Sequence, residues 1–111
     1  MPMLRGTLDP LVLKAVSWSP MHAFEITYWI EERSDGLVQI DDAALLQALH
    51  RLEDRRYVAA DWGVTENGRR AKYYRITAAG RDYLGTEASR LVDHLSAVIS
   101  ILSAKTTKSQ G

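Results

Sequence analysis

The feature that most constrains the fold is a heptad repeat of apolar residues near the C-terminus. This spacing keeps the apolar side chains along one side of an α-helix, as in helices that pair in coiled coils. A helix that starts after Thr77 and runs to about Lys105 would be ~42 Å long, longer than the core of a 111-residue chain can cover. The pattern therefore favours an arm that pairs with a second copy over a core helix of a monomer. Successive apolar positions are four, three, four, three and four residues apart, at Leu84, Ala88, Leu91, Leu95, Val98 and Leu102.

Three shorter helices are predicted upstream, because apolar residues recur there every three or four positions. Ser19-Pro20 should end the first helix, and Asp35-Gly36 should end the second because glycine readily adopts the left-handed conformation. The short apolar segment 37–40 is a candidate for one small strand. The three predicted helices span residues 7–18, 21–34 and 41–56.

The third of these helices carries polar residues opposite a narrow apolar stripe. Asp41 or Asp42 is a good N-cap for it, and the stripe is formed by leucine and alanine. Glutamine and arginine have the paired donors or acceptors that suit base edges. A solvated face is the alternative, with Arg51 paired to Glu53 or Asp54. The stripe is Leu45, Ala48, Leu49 and Leu52, and the candidates for DNA contact are Ala44, Gln47, His50 and Arg51.

A β-hairpin is predicted after the third helix. Two strand-like segments, 57–64 and 71–77, flank a loop that contains Asn67-Gly68, a strong hairpin signal because both residues accept positive φ. Arginine and lysine in such a loop supply hydrogen bonds to DNA phosphates without reading sequence. The alternative is a solvated hairpin. The candidates for DNA contact here are Asn67, Arg69, Arg70 and Lys72.

The order helix, helix, helix, hairpin is that of a winged helix. The predicted fold class is mainly α with a small β-hairpin (α+β), a winged helix-turn-helix followed by a long C-terminal dimerisation helix. The expected division is a DNA-binding domain over residues 1–78, a dimerisation helix over 79–105 and a disordered tail over 106–111. The third helix is expected to enter the major groove, about 12 Å wide, while the hairpin 62–74 follows the neighbouring phosphates or the minor groove.

The charge distribution supports this view although the formal net charge is zero. Residues 1–49 carry three basic and seven acidic side chains, a net of −4. Residues 50–81 carry eight basic and four acidic side chains, a net of +4, and residues 82–111 balance. Because screening limits the reach of a charge to about 8–10 Å at physiological salt, the local excess decides which ligand a surface attracts.

Four stretches of the sequence resemble the PadR family of bacterial transcriptional regulators, over residues 4–104. The resemblance implies a dimeric winged-helix repressor that binds an imperfect palindrome in a promoter, often with a small-molecule effector that relieves repression. The sequence identifies no effector. The stretches are Gly6-Thr7-Leu8-Asp9, His22-Ala23-Phe24-Glu25-Ile26, residues 45–53 and residues 66–80.

Two positions depart from the family pattern on the third helix. Leu46 stands where the family often has a tyrosine that touches a DNA phosphate, and Leu46 cannot donate a hydrogen bond. Gln47 stands where proline is frequent, and it could instead read an adenine edge or bind phosphate. The competing function is a winged-helix module that binds proteins without specific DNA binding.

Other classes of function are disfavoured by what the sequence lacks. There is no cysteine, which excludes disulfides and thiolate catalysis and fits a cytoplasmic protein. No segment has the ~18 uninterrupted apolar residues of a membrane helix. His22, His50 and His94 fall on three different helices, so no metal site, cofactor or enzymatic activity is predicted. Trp18, Trp29 and Trp62 are expected in the core or an interface, with an effector pocket as the alternative.

Overall fold

The computed structural model describes residues 6–106 as four α-helices and a two-stranded antiparallel hairpin, which confirms the predicted fold class. The predicted tail falls outside these residues except for residue 106. In chain order the elements are α1 (Leu8–Trp18), α2 (Ala23–Arg33), α3 (Asp42–Asp54), β1 (Val58–Val64), β2 (Arg70–Ile76) and α4 (Ala78–Leu102).

Side-chain caps fix where three of the helices begin. Nδ1 of His22 accepts a hydrogen bond from the Glu25 backbone N–H at 3.3 Å, and the Glu25 carboxylate accepts one from the His22 N–H at 3.1 Å, a reciprocal capping box for α2. The Asp41 carboxylate accepts from the Ala44 N–H at 3.2 Å to begin α3. The Thr77 hydroxyl accepts from the Gly80 N–H at 3.0 Å to begin α4.

The core surrounds α1, which packs against α2, α3, β2 and α4. Each large apolar side chain buried in this way contributes about 1.5–3 kcal/mol to folding. The buried stripe predicted for α3 is confirmed, since all four of its residues lie in the core. The buried core residues are Val12, Leu13, Ala15, Val16, Met21, Ile26, Ile30, Leu45, Ala48, Leu49, Leu52, Val58 and Tyr74.

The prediction of a small strand at residues 37–40 is wrong. This segment is irregular, with Leu37 87% exposed while Val38 and Ile40 pack against the core. A strand needs a partner edge, and the free edge of β2 is already taken by Met21. The Met21 N–H donates to the Tyr74 carbonyl at 3.0 Å, and the Tyr74 N–H donates to the Met21 carbonyl at 2.8 Å.

The hairpin register places alternate residues on the side that faces the core. Val58 pairs with Ile76 and Ala60 with Tyr74 on that side. Because side chains alternate along a strand, the next pair on the same side is Trp62 with Lys72, which lies beyond the buried core. The strands are joined by residues 65–69, and of the Asn-Gly pair only Gly68 has positive φ, at 78°.

Helix α4 packs on the domain only near its beginning. Gly80 is its one buried residue, and a Cβ there would come within 2.1 Å of the Tyr57 carbonyl oxygen, so only glycine allows this approach. Tyr83 stacks on Tyr57 with ring centroids 4.3 Å apart. The remainder of the 25-residue helix extends away from the core, which gives the molecule extents of 67 × 28 × 21 Å.

Candidate nucleic-acid interface

The exposed face of α3 carries two of the polar side chains predicted to contact DNA. Gln47 and His50 are exposed and point away from the buried stripe, as a period of 3.6 residues per turn requires. Leu46 is 46% exposed. Ala44 is half-buried at the edge of the stripe. The central part of this face is therefore formed by an amide and an imidazole.

Arg51 is held by a carboxylate that the sequence did not suggest. Its Nη2 lies 2.7 Å from Oδ1 of Asp9 and its Nε lies 3.3 Å from Oδ2 of the same residue, which connects α3 to α1. The hydrogen bond to Asp9 raises the pKa of the Arg51 guanidinium, against a smaller lowering by burial. Pairing with Glu53 or Asp54 is thus wrong. Asp9 is 42 residues away in the chain, so no local spacing could reveal it.

The predicted cations of the hairpin differ in how they are paired. Nζ of Lys72 lies 3.3 Å from Oε1 of Glu53 at the end of α3, with both side chains about one-third exposed. Arg69 and Arg70 are exposed and form no ion pair within residues 6–106. The guanidinium carbon of Arg70 lies 4.5 Å from the ring centroid of Trp62. The unneutralised charge of the hairpin is therefore concentrated near its tip.

Ion pairs redistribute the basic excess of residues 50–81. Three of its eight basic side chains are paired, because Arg75 contacts Asp61 at 3.4 Å in addition to the pairs of Arg51 and Lys72. Arg55 and Arg56, just after α3, are exposed and form no ion pair among the described residues. Both lie at the end of the helix predicted over residues 41–56, and the Arg56 carbonyl accepts a hydrogen bond from the Thr77 hydroxyl at 2.7 Å, beside the start of α4.

The apolar repeat of α4 is incompletely covered. Leu84, Ala88, Leu91, Leu95 and Val98 are half-buried and Leu102 is 78% exposed. Val92 and Ile99, beside the repeat, are 60% and 61% exposed. Between α1 and α4 runs a groove of about 490 Å³, whose apolar lining includes Pro10, Leu11, Leu84, Ala88 and Leu91.

The three tryptophans do not form a common pocket. Trp29 packs against the core, with the Arg33 guanidinium carbon 4.4 Å from its ring centroid and Trp18 beside it at 6.3 Å between centroids. Trp18 is 64% exposed and Trp62, on the hairpin, is 60% exposed. These two residues do not lie in the core, so for them an interface position remains the prediction.

No metal centre or membrane span is found in the part of the chain that the structure describes. Within residues 6–106, no three His, Asp or Glu side chains are grouped to hold a metal ion. Of the histidines, His22 caps α2, as described above. None of the helices formed by these residues is long and apolar enough to cross a membrane.

Residues 12–86, which contain the α3 face and the hairpin, match the family model described as the transcriptional regulator PadR-like family. The chain belongs to the PadR-like family of transcriptional regulators. The resemblance seen in the sequence is thereby confirmed. An uncharacterized protein of Lysinibacillus sphaericus is 35% identical over 81 residues, which are 73% of this chain and 74% of that protein.

Solved structures of similar proteins agree with the fold of this PadR-like protein. A transcriptional regulator from Clostridium thermocellum is 28% identical, with a TM-score of 0.78 over 90% of this chain and 96% of that one. A PadR-like transcriptional regulator from Bacillus cereus is 19% identical, with a TM-score of 0.77 over 93% and 98% of the two chains. At 19% identity, the likeness to the Bacillus cereus protein shows only that the two chains share a fold.

Proposed function

We propose that this PadR-like regulator is a homodimeric repressor that binds double-stranded DNA at an imperfect palindrome in a promoter. In this proposal α3 enters the major groove and the hairpin acts as the wing, contacting the neighbouring phosphates. The observation that carries it is the pair Arg69 and Arg70, exposed on the hairpin that follows α3 and without a carboxylate partner in the described part of the chain. The cytoplasmic location and the division at residues 78 and 79 belong to the same proposal.

The charge pattern explains why these arginines suit DNA. A cation already paired with a carboxylate must give up that contact to reach a phosphate, whereas an unpaired cation releases only counterions from the DNA. Arg69 and Arg70 are in the second situation, and Asn67 at the tip adds an uncharged donor. Lys72 is the intermediate case, because its contact with Glu53 is partly exposed and 3.3 Å long. We expect Arg69 and Arg70 to contribute most of the wing's affinity.

We propose that Gln47 and His50 determine which DNA sequence the protein prefers. Both are exposed on the face of α3 opposite the core. A glutamine amide can pair with the N6 and N7 edge of adenine. Ala44 and Arg51 are proposed at the edge of the contact, where Ala44 lies close to the core and Arg51 can reach a phosphate only by giving up its contact with Asp9.

The homodimer is supported by apolar surface that the single chain leaves exposed. The heptad residues of α4 and the groove beside α1 form one continuous apolar surface. We infer that the α4 helix of a second copy covers it, with Leu84, Ala88, Leu91, Leu95, Val98 and Leu102 at the interface. A two-fold dimer presents two α3 helices, which fits half-sites about 10 bp apart or a multiple of that distance. A small-molecule effector that relieves repression would act on this assembly.

The wing is tested by measuring DNA affinity at several salt concentrations for the Arg69→Ala/Arg70→Ala variant. The probes are duplexes from the regulator's own upstream region and a random duplex. We expect weaker binding to both probes, and a slope of log affinity against log salt that is shallower by about 1.8, or 0.9 per lost phosphate contact. An unchanged slope would remove the wing from the interface.

A matched control removes two arginines elsewhere, Arg33 on α2 and Arg90 on α4. Arg33 stacks on Trp29 and Arg90 pairs with Glu87, so neither belongs to the proposed surface. This Arg33→Ala/Arg90→Ala variant should keep the parental slope. Binding of the parent protein with equal affinity to both duplexes would instead favour the alternative, a protein-interaction module without specific DNA binding.

A further inference from the structure

We propose that Trp62 is a positioning residue that holds the Arg70 guanidinium in its DNA-binding orientation without neutralising it. The inference rests on the proposed function and names a residue through which the wing acts. Trp62 lies on β1, outside the buried core, with 60% of its surface exposed. Exposing the apolar ring of an indole to water is unfavourable, and Trp62 is not among the residues that pack against the core.

The hairpin register brings the two side chains together. Trp62 is paired with Lys72, and Arg70 is paired with Val64, so Trp62 and Arg70 are diagonal neighbours on one side of the hairpin. Long side chains reach each other across such a diagonal. The guanidinium carbon of Arg70 lies over the indole, 4.5 Å from its centroid. This distance is within the range of a cation–π contact.

The two cations on this side of β2 are restrained in different ways. Lys72 lies over the ring of Tyr74 at 5.6 Å and also contacts the Glu53 carboxylate at 3.3 Å. Arg70 has only the indole of Trp62 as a charged or aromatic partner within the described residues. A carboxylate orients a cation and cancels its charge, whereas an aromatic ring orients a cation and leaves its charge available to a phosphate.

The geometry of a guanidinium makes this restraint compatible with DNA binding. The group is planar, and its five N–H donors point outward in that plane. An aromatic ring that stacks on the face of a guanidinium leaves the donors at its edge available for phosphate oxygens. Restricting the rotamers of a long side chain before binding reduces the entropy lost on binding. Trp62 therefore raises the affinity for any duplex, because Arg70 loses less side-chain entropy when it binds a phosphate.

The experiment compares DNA affinities of single and double variants in the full-length protein. We expect Trp62→Ala to weaken binding to operator and random duplexes alike by about two- to fivefold, the ratio that corresponds to a cation–π contact at an exposed site. The double variant Trp62→Ala/Arg70→Ala should bind no more weakly than Arg70→Ala alone. Arg69 lies at the same tip and has no aromatic partner among the described residues, so the effects of Trp62→Ala and Arg69→Ala should multiply.

Two conservative variants separate positioning from a structural role. Trp62→Phe keeps an aromatic face and should restore most of the affinity, whereas Trp62→Leu keeps apolar bulk and should behave like Trp62→Ala. If Trp62→Leu also binds as the parent does, bulk is sufficient and the proposal fails. Thermal unfolding of each variant shows whether the hairpin remains folded. If Trp62→Ala destabilises the hairpin, the comparison of Trp62→Phe with Trp62→Leu still tests whether an aromatic ring is required.

The outcomes distinguish failure of this inference from failure of the proposed function. If Arg70→Ala weakens binding while Trp62→Ala does not, Trp62 has no positioning role and the wing proposal stands. If the effects of Trp62→Ala and Arg70→Ala multiply, the indole contacts DNA on its own account, which also overturns the inference. If neither Arg69→Ala nor Arg70→Ala changes affinity, the wing is not an interface and both proposals fall.

Discussion

Arg51 illustrates, at the scale of single residues, how one long-range contact determines what a side chain on α3 is free to do. Periodicity correctly places Gln47 and His50 on the exposed face, because a helix with one buried stripe leaves its opposite side in solvent. It also places Arg51 outside the core but cannot supply its partner. Asp9 reaches Arg51 only once α1 has packed against α3. Exposure could be predicted from the sequence, whereas pairing depended on tertiary packing.

Replacing Asp9 with asparagine should release Arg51 at a small cost in stability. The pair is partly exposed, with 48% of the Arg51 side chain accessible, and such pairs contribute below about 1 kcal/mol. If Arg51 then reaches a phosphate, the salt slope of DNA binding becomes steeper by about 0.9. Urea unfolding and titration of a random duplex measure the two effects.

The matched control for that change is Glu32→Gln, which removes one negative charge from an exposed position on α2. It should leave the salt slope as it is in the parent. A slope that steepens equally in both variants would mean that overall charge, and not the release of Arg51, is responsible.

Tyr74 makes stability depend on pH in the alkaline range. Burial raises the pKa of its phenol above the ordinary value of 10.0, while Lys72 lowers it and Glu53 raises it. The unfolded chain therefore ionises first. The stability contributed by the neutral phenol is fully present below pH 10 and is lost as the pH rises through the higher pKa of the folded state.

Urea unfolding between pH 8 and 10.5 should show this loss in the parent and a shallower decline in Tyr74→Phe. Tyr83, whose pKa burial also raises, leaves a residual decline in that variant. Tyr28→Phe removes an exposed phenol and serves as the control. Identical pH profiles for the parent and Tyr74→Phe would show that this phenol is not responsible.

Elements with a repeating apolar pattern or a specific turn signal were predicted well, whereas a short apolar segment with neither was not. The heptad repeat and the Thr77 cap located α4 to within a few residues, and Asn67-Gly68 located the hairpin. The prediction of a strand at 37–40 failed because a segment with three apolar residues in four suits either a strand or a loop that covers the core. Only the tertiary structure shows that Met21 occupies the edge of β2 which such a strand would need.

Charges placed in the α4 repeat should prevent dimerisation. We expect Leu91→Asp with Leu95→Asp to give a monomer that no longer binds the operator, because each aspartate would have to be buried without a partner. Sedimentation measures the mass, and a mobility shift measures binding.

The control carries the same two charges on the other side of the helix, as Ser89→Asp with Ser96→Asp. Both serines are exposed and lie outside the heptad repeat, so this variant should remain dimeric. A stable monomer of the unmutated protein at micromolar concentration would contradict the homodimer proposal.

On the scale of the whole molecule, a net charge of zero conceals a functional separation of charge. The family and the fold class could be predicted from the sequence, because the order of the elements and the spacing of the motifs can be identified without knowing the tertiary contacts. Which basic side chains are free to bind DNA could be predicted only in part. Three of the eight basic residues in the positive region are paired with carboxylates on other elements, and the five without such a partner among residues 6–106 include the two arginines of the hairpin tip.

A dimer of this shape should be sensitive to the distance between the two halves of its operator. Inserting 5 bp between the half-sites rotates one of them by about half a helical turn, so we expect affinity to fall to that for a random duplex. Mobility shifts with the native and lengthened operators measure this. Unchanged affinity would indicate that only one α3 helix contacts each DNA molecule. As a control, replacing 5 bp of the spacer without changing its length should have little effect.

The length of α4 beyond its contact with the domain makes it a lever arm. From Gly85, where a Cβ would meet no atom within 4 Å, to Leu102 the helix covers ~25 Å at 1.5 Å per residue. A bend of about 10° at Gly85 would therefore move Leu102 by about 4 Å. In a two-fold assembly both arms contribute, so a small change in curvature becomes a displacement comparable to the ~3.4 Å rise of one base pair. The stiffness of a single helix would thus determine how much variation in operator length the protein tolerates.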